Sequence, residues 1–411
     1  MVAAARSRRG WYFGPTVLKR SHPLFVGITN TPRNYAWGSD GAISELLGST
    51  PTGRAEAELW LGAHPGSPAV IVDGDAEGQT LLDVVDGHLP FLMKVLAAKS
   101  ALSLQAHPTM AQAAEGFARE EVAGIPIDAP QRNYKDTFHK PEILYALSDE
   151  FHALCGFRSA ASVHETIGQL IQVDAESEAP NRGPLHRWLD RMGGDESIRH
   201  VFEWLITRGE GVDDLIARVS ELAALPVFDG VPELETVRDL SRWYPGDPGI
   251  VISLMLNRLT LRKGEVLWMP AGNIHAYLTG LGVELMASSD NVLRGGLTPK
   301  HIDVPELLKV LDFRPIAVPY LEAEQVSPGV RVYAPGVPDF SLTVVDLVNA
   351  GGVAALDTRG QAIALCVRGD AQLAGRSGGS TLNHGESLYI TADESPLSFT
   401  GDGLVFVAST G

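Results

Sequence analysis

The chain has only two cysteines, Cys155 and Cys366, in 411 residues. Two cannot build a disulfide framework, so a secreted, disulfide-stapled fold is excluded; two buried free thiols in a reducing, cytoplasmic compartment are expected. Long apolar runs are missing too. No stretch approaches the roughly 20 consecutive apolar residues that span a bilayer, so no membrane partner is expected. A basic excess is absent: 33 Lys and Arg face 50 Asp and Glu, a formal net charge of −17. Sequence-independent nucleic-acid binding needs a basic surface, so no nucleic-acid partner is expected either. An anionic ligand would need a local cluster of cations to overcome this global field. No P-loop, Rossmann fingerprint or CxxC pair occurs, which removes the simplest nucleotide-binding and redox readings.

What is present is ordinary globular material: 45% hydrophobic and 20% charged residues, in a length that favours two or three domains. The basic start contains "SRRGWYF", but Lys19, Arg20 and Pro23 interrupt any apolar region behind it, so it is not expected to act as an export signal. Residues 1–24 read as an extension. Residues 25–158 read as short strands and turns, with "SPAVIVD" (67–73) and "PFLMKVLAA" (90–98) as β runs. The stretch 109–123 is helical, with Thr109 as its N-cap. Residues 159–245 carry four segments with apolar residues at helical spacing, beginning "SAASVHETIGQLIQV", "SIRHVFEWLITRG", "VDDLIARVSELAAL" and "VPELETVRDLSRWY"; they form a helical insertion. Strand character returns over 246–320, and "KHIDVPELLKVLDF" (300–313) is a helix with Pro305 near its start. Residues 321–411 have short strands at regular intervals, which suggests a double-sheet jelly roll or related barrel. The fold class is mainly β with a helical insertion.

Three stretches carry candidate chemistry. "ALSLQAHPTM" (101–110) alternates as a half-buried strand, and period 2 puts Ser103, Gln105 and His107 on one face. A buried amide needs several partners, so this polar front points toward ligation. In "NYKDTFHKPEILYAL" (133–147), Lys140 and Glu142 share a face as the chain enters an apolar run. In "MPAGNIHAYLTGLGVELMASSDNVLRGGLTPKHID" (269–303), His275 ends a strand and Tyr277 follows on the same face. Glu284 sits inside the apolar "GVELM", Arg294 precedes Gly295 and Gly296, and Lys300 precedes a helix. Two imidazoles, a carboxylate and an amide suit Zn²⁺, with other first-row divalent ions as rivals. Lys94, Lys140, Arg294 and Lys300 supply the required local cations, which fit an anionic substrate such as a phosphate ester.

The motifs "NYAWGS", "AELWLGAHPGSPA", "LPFLMKVLAAKSALSLQAHP", "HKPE", "MPAGNIHAYL" and "ELMASSDNVLRGGLTPKH" together resemble the type I mannose-6-phosphate isomerases, over residues 34–313 and more weakly beyond. The resemblance implies a cupin-like double-stranded β-helix catalytic domain (25–158 and 246–320), a helical domain (159–245) and a second, metal-free cupin-like domain (321–411). It implies one zinc ion, held by Gln105, His107, Glu142 and His275, and a sugar-phosphate substrate interconverted between mannose 6-phosphate and fructose 6-phosphate by a monomer. It places Arg294 as a catalytic residue and Lys94, Ser103, Lys140, Lys300, Tyr277 and Trp37 around the substrate, with Glu284 nearby. The base is expected to be Glu284, with Lys140 or a zinc-bound hydroxide as alternatives. Rival readings are another cupin metalloenzyme, such as an iron dioxygenase or a different sugar-phosphate isomerase, and a non-catalytic sugar-binding module.

Overall fold

Phe91–Ala98 is buried at every position, as a run apolar but for Lys94 demands: a strand packed on both faces has no side for solvent. The computed structural model describes residues 25–85 and 87–411; the expected extension, 1–24, lies outside the described residues. The protein is mostly β with some helices. Its first strands are β1 (Phe25–Thr29), β2 (Glu58–Leu61), β3 (Val70–Ile71), β4 (Phe91–Ala98), β5 (Gln105–Ala106), β6 (Glu142–Ala146), β7 (Glu150–Phe157), β8 (Leu256–Arg262), β9 (Val266–Met269), β10 (His275–Ala287) and β11 (Leu293–Arg294). All of these except β1 and β3 make one nine-stranded sheet.

The axis of that sheet is β10. Its first residues pair with β5 and β7, and its later ones with β4 and β6. A register shift at Tyr277 and Thr279 separates the halves, where Gly280 adopts φ +135°. A Cβ there would lie 2.5 Å from the Phe151 ring, so the position needs glycine on both counts. The extra residue flips the strand's parity, and His275 and Glu284, an odd number of residues apart, both turn inward. The expected strand ending at His275 is corrected here: His275 begins a strand that runs without interruption through Glu284. The expected strand over 101–107 also shrinks, with only Gln105 and Ala106 paired. Pro108 and the turn into the next helix cut it short.

Helices α1 (Ala42–Leu46), α2 (Leu81–Val84) and α3 (Met110–Val122) punctuate the first β region. Thr109 caps α3, and Gln112 returns the bond in a capping box. Between β7 and β8 lie α4 (Ala160–Glu176), α5 (Gly183–Arg191), α6 (Ile198–Ile206), α7 (Val212–Ala223), α8 (Pro232–Trp243) and α9 (Gly249–Ile252). The four expected segments are helical, but α5 and α9 were not foreseen. The short α5 contributes just Pro184, Leu185 and Trp188 as buried residues, too few to register as a periodic run. The helical core, with Trp188, Phe202, Leu215 and Leu240, is continuous with Leu104, Ala106, Ala276 and Leu293. Thus the apolar backs of β5, β10 and β11 rest on the helices, and their fronts are free to carry function. After β11 comes α10 (Val304–Val310), capped by Asp303.

The remaining strands are β12 (Glu324–Ser327), β13 (Val330–Tyr333), β14 (Ser341–Asp346), β15 (Val353–Leu356), β16 (Arg359–Arg368), β17 (Ala371–Ala374), β18 (Gly379–Leu382), β19 (Ser387–Ile390), β20 (Leu397–Gly401) and β21 (Leu404–Thr410). They form a four-stranded sheet, β15-β20-β17-β18, and most of an eight-stranded one, β12-β13-β14-β21-β16-β19-β1-β3. The N-terminal strands β1 and β3 therefore complete the C-terminal sheet, and the expected boundary at 320/321 does not separate the sheets. One core joins Phe91, Met93, Val95, Ile143 and Leu285 to Tyr333, Phe340, Leu342 and Phe406. Tyr145 packs edge-on against both Tyr333, at 5.8 Å, and Phe406, at 4.9 Å.

Candidate active site

On the inner faces of β4, β6 and β10 the charged and imidazole side chains are Lys94, Glu142, His275 and Glu284, each nearly fully buried. Register explains their meeting. Glu284 stands opposite Lys94 on one side and Leu144 on the other, and Glu142 opposite Met286 one rung along. A buried charge persists only when it is paired or bound, and these residues satisfy that demand in two ways.

The first is a cluster around Glu142. Its carboxylate lies 3.4 Å from His107 Nε2, 3.3 Å from His275 Nε2 and 2.9 Å from Lys140 Nζ. His107 Nδ1 is 2.7 Å from the carbonyl of Asn291, and His275 Nδ1 is 3.1 Å from that of Asn273. A carbonyl only accepts, so each Nδ1 carries the proton and each Nε2 presents a lone pair to Glu142. Two lone pairs and a carboxylate facing one another have nothing to bond. Accordingly His107 Nε2 and Glu142 Oε2 are buried without a hydrogen-bond partner among the described residues. A divalent cation resolves this arrangement, and the three side chains offer donor atoms within 4.8 Å of one another. Gln105, opposite His275 in the ladder, places its amide 3.4 Å from His275 Nε2. Amide O and N exchange by a flip of the side chain, which turns Gln105 Oε1 toward the same centre. Burial drives the His107 pKa down to about 4, against the pull of Glu142; a neutral imidazole is the form that binds a metal. Burial opposes the charge on Glu142, but Lys140 and then His107 outweigh it and hold the carboxyl well below its usual range.

The second is the set Glu284, Lys94 and Glu58. Lys94 Nζ lies 2.9 Å from Glu284 and 3.5 Å from Glu58, with the Trp60 ring 4.9 Å away. Burial works against the ammonium, yet Glu284, Glu58 and Glu142 raise its pKa. The Glu284 carboxyl is raised by burial; Lys94 opposes this, and Glu142 and Glu58 reinforce it. Tyr277, fully buried, has its phenol pushed well up by burial and by these carboxylates.

Arg294 differs from both lysines. It stands opposite Gln105, and burial alone lowers its pKa. Lys300 is exposed, and burial and the charge of Arg294 lower its pKa. Neither is ion-paired among the described residues, so two neighbouring cations await an anion. Ser103 is half-buried, two residues before Gln105. Trp37 packs on the inner apolar cluster beside Leu102 and Tyr277. Among the described residues neither hydrogen-bonds to the Glu142 cluster. A surface cavity of about 820 Å³ opens elsewhere, between Thr109 and residues 309–315, and includes none of these side chains. Of its cations, Lys309 and Arg314 are already ion-paired and Arg199 lies over the Phe313 ring at 5.3 Å.

Sequence reasoning missed Glu58, Trp60, His64, Asp290 and Asn291. Glu58 carries the signal that exposed Glu284, a charge inside an apolar strand. His64, buried and 3.3 Å from Asp290, and Asn291 lie in loops, where no periodicity marks them.

Fold and site thus define a mainly β protein whose interior gathers a group of side chains able to hold a divalent metal, with Arg294 and Lys300 as cations outside any ion pair among the described residues. Residues 25–160 match the family model of the phosphomannose isomerase type I catalytic domain. The mannose-6-phosphate isomerase of Salmonella typhimurium is 38% identical over 403 residues, covering 92% of this chain and 97% of the relative. The human enzyme of the same name is 34% identical over 416 residues, covering 91% and 95%. A crystal structure of a zinc-bound mannose 6-phosphate isomerase superposes with a TM-score of 0.81 at 34% identity, over 94% of this chain and 99% of the other. The chain belongs to the type I phosphomannose isomerase family.

Proposed function

We propose that this chain interconverts mannose 6-phosphate and fructose 6-phosphate, using one zinc ion per chain. The observation that carries this reading is the pair of orphaned buried donors, His107 Nε2 and Glu142 Oε2, set beside the unpaired cations Arg294 and Lys300. His107, Glu142, His275 and Gln105 would hold the metal. Zinc bound there supplies Lewis-acid polarisation of the sugar's carbonyl and hydroxyl oxygens.

The other steps fall to side chains. Aldose–ketose isomerisation moves a proton from C2 to C1 through a cis-enediolate. Glu284 takes the C2 proton as its carboxylate and returns it to C1, ending as it began; its raised pKa suits a base. Lys94, already neutralised by two carboxylates, acts on Glu284 rather than as the phosphate anchor that its charge alone suggests. Lys140 gives a proton to O1 and recovers one from O2, ending as charged as it began, and Arg294 stabilises the enediolate. Lys300, with Ser103, takes the phosphate, whose remote binding energy orients the reacting carbons. Tyr277 and Trp37 shape the wall.

The reading extends to architecture. The nine-stranded sheet is a cupin-like jelly roll within 25–158 and 246–320. The segment 159–245 is a helical domain, and 321–411 is a second cupin-like unit. The working unit is one chain in the cytoplasm, consistent with two buried free thiols. Among the described residues no helix is long and apolar enough to cross a membrane. The dioxygenase and sugar-sensing alternatives find no support among the relatives. The test is a coupled assay on mannose 6-phosphate: turnover is expected to vanish with a chelator and return with zinc. Full turnover by the metal-free protein overturns the reading.

A further inference from the structure

Asn291 is completely buried in the loop between β10 and β11, and among the described residues its side chain bonds to the backbone and side chain of another segment. Its Oδ1 accepts from the amides of Lys135, at 2.7 Å, and Asp136, at 3.3 Å. Its Nδ2 donates to the carbonyls of Asp136, at 3.0 Å, and Phe138, at 2.8 Å, and to Asp136 Oδ1, at 3.0 Å. Asp136 answers by accepting from Ser289 Oγ and the amide of Asp290. Two loops distant in sequence are therefore bound along their length through one amide. The first leads from Phe138 directly to Lys140 and Glu142. The second leads from Asn291 to Arg294. The carbonyl of the same Asn291 receives the Nδ1 proton of His107 and so keeps that ring's Nε2 lone pair toward Glu142.

We propose that Asn291 is a positioning residue for the metal centre: it orients His107 through its carbonyl and sets where Glu142, Lys140 and Arg294 arrive through its side-chain amide. A clamp serving stability alone would need no bond to His107. One residue touching the ligand ring and the backbones that carry its partners converts loop geometry into coordination geometry. The inference rests on the metal-binding reading above.

The test uses the full-length protein and competition with a chromophoric chelator for zinc. Asn291→Ala is expected to weaken zinc binding about 10–100-fold, to lower kcat at saturating zinc, and to alter the visible spectrum of the cobalt-substituted protein. Asn291→Asp keeps the acceptor but sets a carboxylate against Asp136 Oδ1, and is expected to weaken zinc similarly. Adding Asp136→Asn restores a donor and acceptor across that gap, in reversed order, and is expected to recover part of the affinity. Should Asn291→Ala not fold, the Asp pair decides. The proposal is overturned if zinc affinity stays within about twofold and the cobalt spectrum superposes, or if the double variant is no better than the single one. Wild-type protein that binds no zinc instead overturns the metal-centre reading itself.

Discussion

Glu284 and Lys94 face each other across one rung of a sheet, and neither could be buried there alone. Removing one partner of such a pair costs about 3–5 kcal/mol because the other charge is stranded. Hence Glu284→Gln, which keeps the shape, separates chemistry from folding better than Glu284→Ala. It is expected to retain zinc by elemental analysis while turnover falls about 10²–10⁴-fold; a loss below tenfold would move the base to Lys140. Lys300→Ala is expected to act differently. As an unpaired cation facing solvent, it contributes binding, so KM should rise about tenfold, equivalent to about 1.4 kcal/mol, with kcat nearly unchanged. The two cysteines stand apart from this chemistry. Burial pushes the Cys155 thiol up to about 12 and that of Cys366 up to about 11, which keeps both protonated and inert.

At the scale of elements, the decisive device is the irregularity in β10. A regular strand would turn either His275 or Glu284 outward, so the site depends on one extra residue, Leu278, between Tyr277 and Thr279, with the positive φ of Gly280 just beyond it. Gly280→Val combines a strained backbone with a clash against Phe151, whose ring and Cα both lie within 3 Å of the added Cβ. Loss of about 1–3 kcal/mol is expected, seen as a lowered denaturation midpoint with weakened zinc retention; an unchanged midpoint would mean the bulge is dispensable. This is also where reading the sequence reached its limit. The cap at Thr109 was legible because capping is local. The runs of β4 and β6 were legible because burial on both faces leaves no polar alternation. Residues on β10 were assigned to two strands because a bulge breaks the period without leaving a period of its own. Gln105, His107, Glu142 and His275 were identifiable as interior polar groups. Glu58 and Asn291 were not, because their importance lies in which distant partner they meet.

For the whole molecule, the joint between the sheets matters more than either sheet. Tyr145 belongs to the strand carrying Glu142, yet its ring packs on Tyr333 and Phe406. Tyr145→Ala is therefore expected to destabilise both β regions together, by roughly 3–5 kcal/mol as for other buried aromatic truncations. The measurement is calorimetric unfolding, which should show one transition shifted as a unit; two transitions with one unmoved would contradict a shared core. The net charge of −17 adds a constraint at this scale. Under the proposed function Arg294 and Lys300 must hold their anion at short range, because a molecule of this net charge repels it as a whole.

The pairing of β1 with β19 has a consequence for how the chain is made. Ser387 Oγ donates to the carbonyl of Ile28 across 359 positions of sequence. On the ribosome, β3 follows β1 early, but the other edge of β1 must wait for nearly the entire polypeptide before β19 exists. Contacts of such sequence separation slow folding, and an exposed, unpaired strand edge is open to association with other chains during that wait. The earliest strand described here is thus among the last to be secured, and the interval between its synthesis and its pairing is when this protein is most dependent on protection from aggregation.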